Sequence, residues 1–129
     1  MNVCDCLGIG LTTWSPLASG ILTGKYNEGI PKDSRAAKEG MAWIKDEITA
    51  EKIMQVRALT GLASDLGLTM AQLAIAWILR RKEVSSVITG ATKISQLEEN
   101  IAAGDAVDKL SDNVLELIES ILDNHPDEE

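Results

Sequence analysis

Two short polar segments of the sequence carry the side chains best suited to hold a phosphorylated ligand. The first is residues 13–20, Thr-Trp-Ser-Pro-Leu-Ala-Ser-Gly, and the second is residues 90–93, Gly-Ala-Thr-Lys, with Gln96, Glu99 and Asn100 just beyond it. Both segments follow short apolar, strand-like runs and supply small, hydroxyl and amide groups, which let a loop approach a phosphate closely. The residue types therefore predict a loop site for a phosphorylated ligand.

The residues after the second segment have the spacing of one helical face. Gln96, Glu99 and Asn100 stand at i, i+3 and i+4, so one helix can present all three together. The start of that helix also supplies unpaired backbone N–H groups for a phosphate. In the long polar stretch between the two segments, the guanidinium fork of Arg35 suits a bidentate phosphate contact better than the neighbouring lysines do.

Each of these residues also has an ordinary structural interpretation. Taken alone, Trp14 is more often a core aromatic, and Lys25 and Arg35 are more often solvated loop charges. The polar residues at 96–100 can simply decorate an exposed helix face, and the glycines at 20 and 90 can simply permit turns. Only the joint pattern favours a ligand site.

Other kinds of chemical site have little to draw on. Cys4 and Cys6 are separated by one residue, and on a strand they would face opposite sides, so we expect reduced thiols and neither a disulfide nor a metal site. His125 is the one histidine and stands near the end of the sequence, which leaves a histidine-dependent hydrolytic mechanism without support.

The composition limits the classes of function. The 129 residues fit one domain, and 45% of them are hydrophobic. The net charge of −8 is concentrated in residues 98–129, which argues against nucleic-acid binding, and the acidic residues 127–129 are expected to form a solvated end. No run approaches the roughly 18 apolar residues of a membrane span, and no signal peptide is visible, so we expect a cytoplasmic protein.

The elements predicted to position the polar segments alternate between strands and helices. A buried strand is expected at residues 7–14, with Gly8 and Gly10 as close-approach points, and a second at residues 84–89. A long loop is expected over residues 19–37. The helices are expected at residues 37–46, 50–66, 69–81, 95–103 and 111–122.

Local signals support several of these helices. Thr69 with Gln72, and Ser95 with Glu98, have the spacing of capping boxes, and Gly67 is a natural helix stop. The apolar residues expected on the buried stripes are Ile53, Met54, Leu59, Leu62, Ala63 and Leu66 of the longest helix, and Leu73, Ala76, Trp77 and Leu79 of the next.

Strands that alternate with helices predict an α/β fold with a parallel sheet and right-handed crossovers. Two strands cannot close a barrel, and a (β/α)₈ TIM barrel typically takes about 250 residues. We therefore expect residues 1–129 to form a partial barrel, roughly the last two βα units plus a C-terminal helix. The bare sheet edges of such an incomplete domain predict self-association.

Four ordered motifs carry a resemblance to a known family. They are residues 8–17 (Gly-Ile-Gly-Leu-Thr-Thr-Trp-Ser-Pro-Leu), 24–26 (Gly-Lys-Tyr), 71–77 (Ala-Gln-Leu-Ala-Ile-Ala-Trp), and 85–92 continued by 96–100. Together they resemble the C-terminal, cofactor-binding portion of the aldo-keto reductases. The resemblance is greatest to the branch that contains voltage-gated potassium channel β-subunits and their bacterial relatives.

The resemblance implies NADPH bound across the C-terminal mouth of a barrel. Trp14 matches the ring that stacks on the nicotinamide, and Lys25 matches the cationic clamp on the pyrophosphate. The turn around the pyrophosphate is matched by Ser15, Pro16, Leu17, Ser19 and Gly20. The adenosine end is matched by Arg35, Thr92 and Gln96 near the 2′-phosphate, with Gly90 in the same loop, and by Glu99 and Asn100 at the adenine edge.

The resemblance also implies which residues to leave out. In the family, a catalytic tyrosine and its partners reduce carbonyls with NADPH, and they lie in earlier strands, so we assign no catalytic residue here. Tyr26, the one tyrosine, belongs to the cofactor-loop motif. A small carbonyl substrate is expected only if the barrel is completed.

Three hypotheses for the function stay open. The first is an NADPH-binding part of a reductase that is inactive alone. The second is a redox-sensing auxiliary subunit of a potassium channel, and the third is a nonfunctional truncated product. Ser19 stands where channel subunits commonly carry cysteine, which favours a bacterial-type reductase.

Overall fold

The computed structural model of the protein describes residues 2–124, without the side chains of Asn2 and Asp5. The predictions made for His125 and for residues 127–129 therefore lie outside the described residues. The α-helices and strands are α1 (Asn2–Leu7), β1 (Leu11–Trp14), α2 (Ala42–Glu47), α3 (Ala50–Asp65), α4 (Met70–Leu79), β2 (Val84–Ile88), α5 (Ile94–Ala102) and α6 (Asp112–Leu122). Short 3₁₀ helices cover Ala18–Thr23, Arg35–Ala37 and Ala103–Lys109.

The two strands pair in parallel, which confirms the predicted α/β class and strand pairing. Thr12 lies opposite Ser86 and Trp14 opposite Ile88, and the register is irregular between Leu11 and Thr12. The long crossover between the strands contains α2, α3 and α4. The second close-approach glycine is confirmed, because a Cβ on Gly10 would lie 2.0 Å from the Ser85 hydroxyl oxygen.

Helix α4 is the centre of the core. The predicted capping box starts it: the Thr69 hydroxyl accepts the Gln72 N–H at 3.1 Å, and the Gln72 side chain accepts the Thr69 N–H at 3.0 Å. Leu73 and Ile75 are each only 2% exposed. The helix contacts α3, β2, α5 and the 3₁₀ helices Ala18–Thr23 and Ala103–Lys109, so it holds the sheet, the turn after β1 and α5 together.

Helix α3 also has the predicted limits. It starts after Thr49, whose hydroxyl accepts the Lys52 N–H at 3.2 Å, and it ends at Asp65, two residues before Gly67, which has φ +68°. Its buried face carries Val56, Leu59 and Ala63. The placement of Met54 on the buried stripe is wrong: it is 68% exposed, because it lies two positions from Val56 and therefore on the opposite side of the helix.

The N-terminal segment differs from the prediction. Residues 2–7 form α1, and β1 begins only at Leu11. Gly8 has φ +63°, and the Ile9 N–H bonds the Cys4 carbonyl at 2.9 Å, which is the Schellman closure of a helix. Gly8 is thus a helix stop and no close-approach point, and Cys4 and Cys6 are free thiols on a helix instead of strand residues.

Several other expectations also need correction. Strand β1 alternates between half-buried and exposed residues, so it is not the fully buried strand predicted. Helix α2 starts at Ala42 because a Gly40 with φ +80° precedes it. The capping box of Ser95 and Glu98 does not form: α5 begins after Lys93, and no side chain of residues 2–124 caps it. Trp77 and Leu79 are half-buried, short of the burial predicted.

Within the described part of the chain, no helix taken singly has both the length and the apolar composition to cross a bilayer. Helices α3 and α4 reach these limits only as a pair, and that pair is bent by 87°.

Candidate functional site

The parallel sheet brings the beginnings of both polar segments to one edge. Trp14, the last residue of β1, lies opposite Ile88, the last residue of β2. Because the carboxyl ends of parallel strands meet at the same edge, residues 15–20 and 90–93 both leave the sheet there. The indole of Trp14 is 78% exposed at this edge and presents a free aromatic face.

The turn after β1 has an unusual backbone. Ser15, Ala18 and Ser19 have φ of 55°, 46° and 58°, and Gly20 has φ of 98°. An L-residue other than glycine costs about 1–2 kcal/mol in this left-handed region. Backbone strain of this kind concentrates at functional sites, where the surrounding structure maintains it. Three such residues and a left-handed glycine within six positions therefore mark the turn as a candidate site.

The Lys25 side chain lies over this turn. A Cβ built on Gly20 would meet the Lys25 Cε at 2.5 Å and its Nζ at 2.6 Å, so only glycine leaves room for the ammonium there. The same Nζ lies 5.3 Å from the centre of the Tyr26 ring. The turn therefore combines left-handed backbone with a positive charge, an arrangement suited to an anion.

Two hydroxyl groups hold the carbonyls of the turn. The Tyr26 hydroxyl donates to the Ser19 carbonyl at 3.4 Å, and the Thr23 hydroxyl donates to the Gly20 carbonyl at 2.8 Å. Sequence reasoning gave neither residue a role. The available signal was their place within two residues of Lys25, just after the turn.

The second polar segment is closed by one side chain. The Gln96 carbonyl oxygen accepts the Thr92 N–H at 2.9 Å and the Thr92 hydroxyl at 3.2 Å. This contact fixes the loop from Gly90 against the first turn of α5. Lys93, the N-cap of α5, makes no side-chain cap hydrogen bond, and the Gln96 N–H bonds the Lys93 carbonyl at 3.1 Å.

The α5 face contains a buried amide with an open hydrogen-bonding capacity. Gln96 and Glu99 are half-buried, and Asn100 is 7% exposed. In the part of the chain that the structure describes, the Asn100 Nδ2 is buried without a hydrogen-bond partner. A buried unpaired donor is costly, so this amide is suited to a ligand acceptor.

Arg35 is exposed at the start of its short 3₁₀ helix. Thr92 and Gln96 bond each other, and among residues 2–124 neither is hydrogen-bonded to Arg35. The structure therefore brings two of the three residues expected at one phosphate together and leaves the third in solvent. Beside Arg35, the hydroxyl of Ser34 is buried without a hydrogen-bond partner among the described residues.

A cleft of about 360 Å³ borders the turn. Ala18, Ser19 and Trp43 are among the residues that line it. Glu47 and Lys52 also line the cleft and form an ion pair of 2.6 Å. The hydrogen bond from Lys52, reinforced by its charge, lowers the pKa of the Glu47 carboxyl from its ordinary value.

Comparison with known proteins identifies a family, and two of the similar proteins are described as probable channel subunits. Residues 1–123 match the aldo/keto reductase family. The chain is 50% identical over 121 residues to a probable voltage-gated potassium channel subunit beta of Arabidopsis thaliana. It is 48% identical over 121 residues to a protein of the same description from Oryza sativa subsp. japonica. In both cases the match covers 92% of this chain and 37% of the relative, so the chain spans little more than a third of these relatives.

Proposed function

The chain belongs to the aldo-keto reductase family, and on that premise we propose that it is the NADPH-binding, C-terminal part of a reductase. Residues 1–129 would then form roughly the last two βα units of a (β/α)₈ barrel and the C-terminal helix. When bound, NADPH supplies the hydride for carbonyl reduction. The observation that carries the proposal is the Lys25 ammonium over the left-handed turn at the carboxyl end of β1.

The nicotinamide and pyrophosphate end of the cofactor would lie along the first segment. The exposed ring of Trp14 can stack on the nicotinamide, and the charge of Lys25 can neutralise the pyrophosphate. The turn that would wrap the pyrophosphate consists of Ser15, Pro16, Leu17, Ser19 and Gly20. The positive φ values at three of these five residues support that role.

The adenosine end would lie along the second segment and α5. The loop from Gly90, closed by Thr92 and Gln96, would face the 2′-phosphate. Glu99 and Asn100 would hold the adenine edge, and the unpaired Nδ2 of Asn100 supports this assignment. Arg35 would supply the guanidinium for the 2′-phosphate and with it the preference for NADPH over NADH.

No residue of this chain is assigned to catalysis. Its groups bind, orient and neutralise a cofactor, and a small carbonyl would react only where the barrel is completed. The isolated chain is then expected to bind NADPH without reducing carbonyls. We propose that the chain binds NADPH in the cytoplasm.

The two similar channel proteins favour a second candidate function, a redox-sensing auxiliary protein of a potassium channel. The serine at position 19, where channel subunits commonly carry cysteine, favours a reductase instead. Co-purification of the chain with a potassium channel from its own cells distinguishes the two. A stable, stoichiometric complex would establish the channel role, and its absence in the presence of NADPH binding would favour the reductase.

Self-association is part of the proposal, because within residues 2–124 the sheet has two strands and both of its edges are bare. Apolar side chains are also exposed near it: Ile88 is 57%, Ile94 77% and Ile101 69% exposed. Sedimentation over a hundredfold concentration range would detect the oligomers. A sharp melt of a monomer, independent of concentration, would contradict this part of the proposal.

Calorimetric titration of the 129-residue chain with NADPH tests the cofactor proposal. We expect saturable binding, weaker binding of NADH, and NADPH affinity that falls by about tenfold in Arg35→Ala. Lys38→Ala, an exposed cation three positions away, is the matched control and should bind as the unaltered chain does. A folded sample that binds neither nucleotide would refute the proposal and favour a nonfunctional truncated product.

A further inference from the structure

We propose that Tyr26 and Thr23 are positioning residues that hold the turn of residues 15–20 in its pyrophosphate-binding shape. The inference rests on the proposed NADPH function and assigns to two residues outside the proposed contact set the task of shaping the site. It follows from where their hydroxyl groups point, from the burial of Tyr26, and from the backbone conformation that these groups maintain.

The Tyr26 side chain is 2% exposed, so its hydroxyl is removed from water. Its hydrogen bond goes to the Ser19 carbonyl, at 3.4 Å. A buried hydroxyl without a partner is costly, and the same holds for a carbonyl that loses its donor. The ring and the turn are therefore tied together, and the conformation of Ser19 depends on a side chain seven positions later.

Thr23 makes the second tie and connects it to the cation. Its hydroxyl donates to the Gly20 carbonyl at 2.8 Å and accepts the backbone N–H of Lys25 at 3.3 Å. One hydroxyl thus fixes both the end of the turn and the base of the lysine side chain. The Lys25 ammonium is also 5.3 Å from the centre of the Tyr26 ring, within the range of a cation–π interaction.

Two successive carbonyls, those of Ser19 and Gly20, are therefore held by two side-chain hydroxyls. The peptide units on either side of Gly20 cannot rotate without breaking one of these bonds. This restraint acts at φ +58° for Ser19, a conformation that serine leaves readily when nothing holds it. Tyr26 and Thr23 maintain the strained geometry and place the charge above it.

The two variants that remove only the hydroxyls are Tyr26→Phe and Thr23→Val. Calorimetry would compare NADPH with adenosine 2′-monophosphate, which carries the adenine and the 2′-phosphate but no pyrophosphate. We expect NADPH affinity to fall about three- to tenfold in each variant, the factor that one hydrogen bond supplies. The affinity for adenosine 2′-monophosphate should change less than about twofold. Ser120→Ala, which removes an exposed hydroxyl on α6, is the control and should alter neither affinity.

Equal weakening of the two ligands, or none in either variant, would overturn the positioning role. A measurement without ligand separates this inference from the cofactor proposal. The nuclear Overhauser effect between the amide and α protons of Ser19 is strong at positive φ, where the two protons are close, and it should weaken in Tyr26→Phe. An unchanged effect would overturn the inference. Failure of the unaltered chain to bind either nucleotide would instead refute the cofactor proposal.

Discussion

Replacing Gly20 with alanine gives the sharpest test of the Lys25 arrangement. The new Cβ would lie 2.5 Å from the Lys25 Cε and 2.6 Å from its Nζ, distances that no pair of heavy atoms in van der Waals contact tolerates. Lys25 is exposed and flexible, so the side chain should move away and leave the backbone in place. The substitution should therefore displace the charge from the turn.

The effect on stability comes mainly from the backbone. Alanine at φ +98° costs about 1–2 kcal/mol, offset in part by the about 0.4–1 kcal/mol that alanine gains from the unfolded state. We expect a net loss of about 1 kcal/mol in the free energy of unfolding, measured with urea. Gly29→Ala and Gly40→Ala are matched controls, because their φ values of +115° and +80° bracket that of Gly20 and no heavy atom of the described residues lies within 4 Å of either added Cβ.

The effect on NADPH affinity separates the three variants. A charge-assisted hydrogen bond is worth about 1.5–3 kcal/mol, so loss of the Lys25 contact in Gly20→Ala should weaken NADPH binding by about 10- to 100-fold. The two control variants should bind as tightly as the unaltered chain when folded. Equal affinities in all three variants would refute the reasoning, and so would a stability loss in Gly20→Ala more than about 2 kcal/mol beyond the controls.

Three further substitutions test the scaffold and its charges. Thr69→Ala should lower the free energy of unfolding by about 1 kcal/mol, because it breaks the capping box of α4. Ser111→Ala should lower it less, because the Ser111 side chain, at the N-cap of α6, bonds no amide among the described residues. Urea unfolding would show the difference, and equal losses would contradict the prediction. Leu73→Ala should cost about 2–5 kcal/mol in the same assay, and a loss below about 1 kcal/mol would mean that the core there is not closely packed. In Lys52→Met, carboxyl NMR should show the pKa of Glu47 returning upward to its ordinary value, and an unmoved pKa would disprove the coupling. In the unaltered chain, the pair stabilises the fold at a pH above the ordinary pKa of a glutamate, and this stabilisation is lost as the pH falls through the lowered pKa.

Features set by neighbours in the sequence could be predicted. The Thr69 and Gln72 box and the Gly67 stop depend on residues within one turn of each other, and both form as expected. The same local reasoning failed for residues 2–10. A six-residue stretch of mixed character suits a short helix as well as a strand, and Gly8, predicted to be a packing glycine, closes a helix.

In the candidate site, too, some features could be predicted from the sequence and others could not. The order of strands and helices predicted a parallel pair, and the parallel pair brings residues 15–20 and 90–93 to one edge. The left-handed conformation of Ala18 and Ser19 could not be predicted, because nothing in an alanine or a serine marks a positive φ. The hydroxyls of Tyr26 and Thr23, which bond the carbonyls of Ser19 and Gly20, lie outside the turn, so the residues of the turn do not reveal them.

The parallel strand pair also determines the order in which the molecule assembles. Residues 15–83 must be looped out before Trp14 can lie opposite Ile88, and closing so long a loop is entropically costly and slow. Helices α3 and α4 contact each other across a short connection and can form early. We therefore expect the edge where the two polar segments meet to form last and to open first. Amide hydrogens of β1 should exchange with solvent faster than those of α4.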